Sequence, residues 1–421
     1  SFKVGNGKVT LNLGWQRNQR KEFGNPDDPQ ESNLYFDLHT VNYNTAYHFD
    51  DKNGWTTSIG VGGMVQSNQN KGIEVLIPEY NLFDLGAFIY SQKSIGKTTV
   101  SGGIRYDTRV LNSKEFMEGT QVKFSQFHKT FYNMSGSVGL SYAATESWVL
   151  KANLAHGFRA PSIPELASNG AHEGTNRYEY GNTSMNSETS LQGDIGTEWS
   201  SEHVMLNAAA FYNHMNNFIF YSKLSNGRGG DSLVAVDNIL IPAYKFNQSS
   251  ANLSGFEALL DIHPHPFDWL HFENTFSYVR GKFAEPVEGT NNVPAIPASR
   301  WRSELRAELL KSGKQIKNLN IYIEADRTFA QEKPFIAYGT ETSTPGYTLI
   351  NSGVNANIQH KNKTVFSIFV MAENLSDVAY QSHLSRLKYT DVNLSNGRRG
   401  VWNMGRNFMF KVNIPLSFDT K

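Results

Sequence analysis

The sequence predicts an all-β fold: a transmembrane antiparallel β-barrel of about sixteen strands. Period-two hydrophobicity, gaps alternating between short and long, and an aromatic-rich composition without long apolar runs carry this prediction. In 132–142, Tyr132, Met134, Val138, Leu140 and Tyr142 alternate with Asn133, Ser135, Ser137 and Ser141. In 270–278, Leu270, Phe272, Phe276 and Tyr278 alternate with His271, Glu273, Thr275 and Ser277. In 408–418, Phe408, Phe410, Val412, Ile414, Leu416 and Phe418 alternate with Lys411, Asn413 and Ser417. Period two places the two sets on opposite faces of a strand. One face is apolar; the other is too small and polar to fill a core. Lipid on one side and water or a polar plug on the other satisfies both.

The composition is compatible with this. The 421 residues carry 39 basic and 39 acidic side chains, which gives no hint of nucleic acid or of an acidic partner. A mean hydropathy of -0.46 suits a barrel, whose strands are apolar on one face only. No run approaches the roughly 18 apolar residues of a membrane helix. Aromatic residues make up 13% of the chain, enough for girdles at two membrane interfaces. There is no cysteine, which fits an oxidising compartment without disulfides and equally many cytosolic proteins. No signal peptide is present, so an exported protein would be represented here by its mature or partial form.

The strands are expected in the following order. Those near 8–18 and 34–48 flank the polar stretch 19–33, whose Asp27, Asp28 and Glu31 read as a solvated loop or, alternatively, a cation site. The turn from Asp50 to Gly54 leads into 54–67, and the gap 68–79 into 80–92. Ser94-Ile95-Gly96 joins this to 97–109; a long gap, 110–128, precedes 129–143. Ala144-Thr145-Glu146 leads to 147–157, and the gap 158–187 to 188–200. Ser200-Ser201-Glu202 leads to 203–217, and the gap 218–250 to 251–263. Pro264-His265-Pro266 opens 267–282, and 283–299 separates it from 300–311. Lys311 to Lys314 turns into 317–329, with 330–346 before 347–359. His360-Lys361-Asn362 turns into 363–374, and 375–402 precedes 403–418. The short connections are rich in Gly, Asn, Pro and charge. Barrels of this kind have short periplasmic turns and long extracellular loops, so every long gap belongs to the outer end.

The motifs around the gap 158–187 name a family. It opens with Phe158-Arg159-Ala160-Pro161-Ser162 and closes with Tyr178-Glu179-Tyr180-Gly181-Asn182, then Met185 and Glu188. Together these resemble the FRAP and NPNL boxes of TonB-dependent outer-membrane receptors, the second without its usual proline. Thr344-Pro345-Gly346-Tyr347, Ala372-Glu373-Asn374-Leu375 and Gly405-Arg406-Asn407-Phe408 are similar to further family boxes. The resemblance covers most of the chain. It implies a bacterial outer-membrane receptor that takes up a scarce nutrient, with iron complexes, haem or siderophore, as the leading cargo. Phe418 would be the aromatic terminus read by the barrel-assembly machinery. Family barrels have twenty-two strands around an N-terminal plug, and their FRAP loop follows the thirteenth strand rather than the seventh. Residues 1–421 are therefore expected to be the C-terminal part of such a barrel, with the plug and about six strands outside it. Strands 8–18 and 403–418 should then each lack a native neighbour. The partners implied are the TonB-ExbB-ExbD complex acting through the plug, membrane lipid, lipopolysaccharide and the iron complex itself. No intrinsic cofactor is implied; iron complex or zinc enters as cargo.

The resemblance also selects candidate ligand residues. His172 lies between the two boxes, where haem receptors carry an axial histidine and zinc receptors also have histidines; imidazole suits either metal. Glu173 beside it would join a zinc site. Tyr178 and Tyr180 could stack on a flat ligand or pack the loop. Arg398 and Arg399 could attract an anionic chelate by bidentate contacts or pair with lipopolysaccharide phosphates. Phe158, Arg159, Ala160, Pro161, Gly181 and Asn182 are expected to be structural, with Arg159 bonding loop carbonyls. For His172 the alternative is a polar loop histidine without a ligand. His263 and His265 bracket Pro264; no third metal ligand is evident, and a tight turn is the simpler reading. Carboxylates such as Asp194, Glu198 and Glu273 are expected on the inward face, meeting plug or water. There is no G-x-S-x-G, no H-E-x-x-H and no phosphate loop, so nothing predicts an enzyme. The alternatives to an iron receptor are a zinc receptor of the same family, a passive sixteen-stranded porin, and a non-transporting adhesion barrel.

Overall fold

The fold is taken from a computed structural model. The structure describes residues 1–24, 27–172, 177–228, 230–236, 239–361 and 363–416. Sixteen long strands follow in chain order. The first eight are Gly7–Glu22, Leu34–Phe49, Trp55–Asn70, Tyr80–Ile95, Thr98–Ser113, His128–Ala143, Trp148–Arg159 and Glu188–Ser200. The second eight are Val204–Lys223, Ile239–Ile262, Leu270–Val287, Arg300–Leu310, Ile316–Thr328, Tyr347–His360, Lys363–Glu373 and Asn407–Asn413. Each pairs antiparallel with the next. Short connections close one end; at Gly96 the backbone enters the left-handed region that favours glycine, with φ 57. Long connections gather at the other end, as the alternation of gaps predicts.

The registers carry two faces across the sheet. Leu140 pairs with Ala152, Ala152 with Ile195, Ile195 with Ala210 and Ala210 with Phe256. Further on, Phe276 pairs with Trp301, Leu305 with Ile323, Ile321 with Val354 and Val370 with Phe410. This face is apolar and exposed: Tyr132, Met134, Phe408 and Phe410 all keep more than half their surface open. The opposite face pairs Glu273 with Glu304, Glu304 with Glu324 and Phe369 with Lys411. Glutamates thus meet glutamates there, but other charges on this face are paired across strands. Arg109 Nη2 lies 2.7 Å from Asp84, Lys151 Nζ 2.5 Å from Glu198 and Arg302 Nη2 2.6 Å from Glu324. Asp194 accepts from Gln192 at 2.7 Å. Tyr132, Met134, Leu140, Phe272, Phe276, Phe408 and Phe410 thus share one face, and Ser135, Ser137, Glu273, Thr275 and Lys411 the other, as the period predicts.

Two departures from the sequence reading have physical causes. Much of the gap 218–250 is strand, because the ninth and tenth strands run on to Lys223 and back from Ile239. A register shift between Met215 and Phe218 breaks the alternation there, with Asn217 at φ 56. The tenth strand has 24 residues, against roughly 9–11 needed to cross a bilayer, so the hairpin projects well past the membrane band. The last strand begins at Asn407, not 403, because Arg406 is held in the preceding loop by Asp377 and the Leu375 carbonyl. Phe418 and Ser417 lie outside the described residues. Among the described residues no backbone ladder joins Gly7–Glu22 to Asn407–Asn413; Phe2–Val4 folds back along the first strand instead.

The packed cores lie at the long-loop end. Leu76, Leu111, Phe131, Ile163, Leu166 and Met185 belong to one cluster. Phe220, Phe283, Val293, Ile296, Phe335 and Ala337 belong to a second. The loops therefore have hydrophobic interiors of their own, while the strands below them expose one apolar face.

Candidate functional site

The first box is a structural joint. Ala160 and Pro161 are buried where Trp148–Arg159 ends, and the chain turns into the short helix Ile163–Ala167. The Ser162 backbone N–H and hydroxyl both donate to Glu165, at 2.7 and 2.9 Å. Arg159 Nη1 donates to both Glu165 oxygens at 2.8 Å. Its Nη2 reaches Glu188 Oε2 at 3.3 Å, which also accepts the Ile219 N–H at 3.0 Å. Arg159 thus meets carboxylates rather than the carbonyls expected from the sequence, because Glu165 and Glu188 converge on it from two elements. Phe158, next to it, lies half-buried on the apolar face.

The second box closes on the first. The Gly181 N–H donates to the Ser168 carbonyl at 2.7 Å and the Asn182 N–H to the Glu165 carbonyl at 2.8 Å. A Cβ on Gly181 would sit 2.3 Å from the Ala167 nitrogen, so only glycine permits this approach. Asn182 Oδ1 accepts from the Ser184 N–H and hydroxyl at 3.1 and 2.6 Å.

Between the boxes, Asn169–His172 and Arg177–Tyr180 form a hairpin. Its second strand docks in parallel on the projecting tenth strand, Tyr178 opposite Ala243 and Tyr180 opposite Lys245. His172 Nδ1 lies 3.0 Å from Glu179 Oε1, which also accepts from Arg177 Nε at 2.8 Å. The Arg177 guanidinium stacks 3.9 Å above the Tyr221 ring. Burial works against ionisation of Glu179, but the bonds from His172 and Arg177 outweigh it and hold the carboxyl below its usual value. Tyr178 donates to Asn169 Oδ1 at 2.9 Å and stacks 4.9 Å from Tyr180. Burial, then the neighbouring Tyr180 and Glu118, push the Tyr178 phenol up to about 12. His172 and the two tyrosines are thus brought into one hairpin. Glu173 lies outside the described residues.

Arg398 and Arg399 lie in the last long loop and are exposed. The Arg398 guanidinium is 5.2 Å from the Trp402 ring, and the Arg399 carbonyl accepts from Trp402 Nε1 at 3.1 Å. Beneath this loop lies a cavity of about 610 Å³, lined among others by Arg300, Arg302, Glu324, Asp326, Tyr380 and Trp402. Here an aromatic rim meets paired charges on the inward wall. The period places Arg300 and Arg302 on the polar face, but Tyr380 and Trp402 lie in a loop where no periodicity could assign them. Adjacent loops are tied together by half-buried Glu341, which accepts from the Ala295 and Phe335 N–H groups at 2.7 and 3.0 Å. His383 lies 3.6 Å from the same carboxylate.

One wall of strands with an apolar outer face and charge-paired inner face, capped at one end by folded loops, defines a transmembrane β-barrel of the receptor type. The family model described as TonB dependent receptor-like, beta-barrel, matches residues 5–375, and the chain belongs to this family. The ferric enterobactin receptor of Pseudomonas aeruginosa is 29% identical over 159 residues, 35% of this chain and 20% of that protein. The structure of the copper transporter OprC superposes with a TM-score of 0.72 at 15% identity, covering 96% of this chain and 61% of that one. The ferric-catecholate import receptor Fiu of E. coli K12 gives 0.65 at 16% identity, covering 98% and 62%. The chain thus spans about three-fifths of the solved structures it matches and one-fifth of the curated relative. The family is one of receptors rather than enzymes. No helix among the described residues is long and apolar enough to cross a membrane, which says nothing of a β-barrel.

Proposed function

We propose that this chain is the barrel part of a bacterial outer-membrane receptor that takes up an iron chelate of the catecholate siderophore class. The observation that carries the reading is the inward cavity beneath the last long loop, lined by Tyr380 and Trp402 together with Arg300 and Arg302, which are paired with Asp326 and Glu324. Aromatic faces and guanidinium groups suit an anionic, ring-bearing chelate. The family match supports uptake, and the named cargo of the ferric enterobactin receptor and of Fiu supports the class. In this reading the long-loop end faces outside, lipid covers the apolar face, and a plug fills the lumen of the whole receptor. TonB-ExbB-ExbD drives transport through that plug. The chelate is cargo, not an intrinsic cofactor. A passive porin would need a ladder between the first and last strands, and none is found among the described residues.

A second reading, haem, is favoured by one contact: His172 is oriented by buried Glu179, as a carboxylate orients a metal-ligating imidazole. Uptake of radiolabelled iron as a ferric tris-catecholate and as haemin separates the two, in cells carrying the complete receptor or its His172→Ala variant. The catecholate reading expects TonB-dependent catecholate uptake, unchanged within about twofold by His172→Ala, since His172 is not among the residues lining that cavity. Haemin uptake that is abolished by His172→Ala, with no catecholate uptake, establishes the haem reading instead. Uptake of either that persists without TonB overturns the receptor mechanism.

A further inference from the structure

We propose a transition-metal site of the zinc class at the short-turn end, held by Asp261, His263 and His271. It is remote from the loops of the proposed cargo site and independent of the reading above. Asp261 is the last residue but one of the tenth strand, His271 the second of the eleventh, and His263 opens the turn between them. Their ligand atoms, one from each residue, all lie within 4.8 Å of one another. His271 Nδ1 is 3.2 Å from Asp261 Oδ2, and His263 Nδ1 is 4.0 Å from the same oxygen. Zinc bonds of about 2.0–2.1 Å in a tetrahedron set ligand atoms roughly 3.3–3.4 Å apart. The three groups are therefore within a small side-chain adjustment of that geometry.

Two further observations point to a ligand rather than to a turn. His263 Nε2 lies 2.6 Å from the Glu202 carbonyl and donates to it. That bond fixes the tautomer and leaves Nδ1 as a lone-pair donor, the arrangement typical of ligating histidines. Yet His263 Nδ1 and Asp261 Oδ1 are buried atoms with no hydrogen-bond partner among the described residues. Buried polar atoms are normally satisfied, and an ion between them would satisfy both. On the far side, His271 Nε2 faces Glu308 Oε1 at 3.9 Å, a carboxylate placed to support the ring from behind. Two nitrogens and one oxygen suit Zn²⁺, with water at a fourth position.

A neighbouring group, His203, His265 and Asp268, also converges, but His265 is 72% and Asp268 53% exposed. The less exposed group is the better preorganised. A bound ion would clamp the ends of two adjacent strands across the turn 263–269.

The test uses the complete receptor in detergent, titrated with Zn²⁺ and with Co²⁺ as a spectroscopic probe. The proposal expects one equivalent of Co²⁺ with tetrahedral absorption bands, displaced by Zn²⁺. Asp261→Asn and His263→Gln are each expected to weaken binding roughly tenfold or more, while His265→Ala leaves it within about twofold. Heat-modifiable migration on gels shows which variants fold, and His271→Gln replaces any that does not. X-ray absorption of the zinc-loaded wild type should show imidazole scattering in a nitrogen and oxygen shell. Equal affinity in the wild type and a folded His263→Gln, His271→Gln double variant overturns the site. So does a shell without imidazole, or no binding at all.

Discussion

Glu179 is 2% exposed, and an unpaired charge at that depth would be expensive. Its partners explain why it stays ionised: Arg177 lies two residues away and His172 across the hairpin. A carboxyl held below its ordinary value of 4.5 stabilises the fold above that pH. That contribution is lost as pH falls through the lowered folded value. Glu341 follows the same rule: burial pushes it up, but His383 and the Ala295 and Phe335 N–H groups outweigh burial. Acidification below about pH 4.5 should therefore loosen the hairpin 169–180 before the strands beneath it open. Hydrogen exchange of the Ala171, Tyr178 and Tyr180 amides, corrected for intrinsic rates, should rise across that window. In Glu179→Gln the rates should already be high at neutral pH and change little on acidification. Unchanged exchange in the wild type would show that the pair carries no stability. None of this network was legible in the sequence. His172 could be singled out from the boxes around it, but the carboxylate that holds it comes from the opposite strand of a hairpin that no pattern marks. His263 and His265 were likewise visible as a pair, whereas the partners His203 and His271 come from other elements.

At the scale of the strand, period two was sufficient. All sixteen strands expected from alternation are present, because a membrane strand must sort lipid from lumen at every residue. The reading failed where that constraint ends. Beyond the bulge at Asn217 the hairpin leaves the membrane band and packs on both faces, with Phe220 and Phe246 buried. Its alternation shifts phase, so strand reads as loop. The same argument makes a quantitative prediction for the thirteenth strand, where Ile323 is 52% exposed on the apolar face and Glu324 is 7% exposed on the polar one. Ile323→Lys should cost roughly 2–4 kcal/mol, the penalty for a cation near the bilayer midplane. Reversible unfolding of the complete receptor in lipid vesicles measures it. A cost below about 0.5 kcal/mol, the usual range of a surface substitution, would mean that Ile323 does not face lipid.

For the whole molecule, the two ends differ in kind. One has turns of a few residues; the other carries two hydrophobic cores, a helix, small hairpins and buried ion pairs. Loops that fold so completely need partners of their own, and here they pack on one another, as Glu341 does by bridging Ala295, Phe335 and His383. The family boxes were legible because they sit on strand ends, where chain geometry restricts residue choice, as at Gly181 against Ala167. Under the proposed function the asymmetry predicts an orientation, with the folded end outside and the turns in the periplasm. The chain contains no cysteine, so single cysteines report position without background. Ser395 lies in the last long loop and Ser312 in the short turn after the twelfth strand; both are exposed. In intact cells expressing the complete receptor, Ser395→Cys should react with a membrane-impermeant maleimide and Ser312→Cys should not. Opening the outer membrane should make Ser312→Cys reactive while leaving Ser395→Cys unchanged. Labelling of Ser312→Cys alone in intact cells would invert the orientation, and with it the assignment of the folded loops to cargo capture.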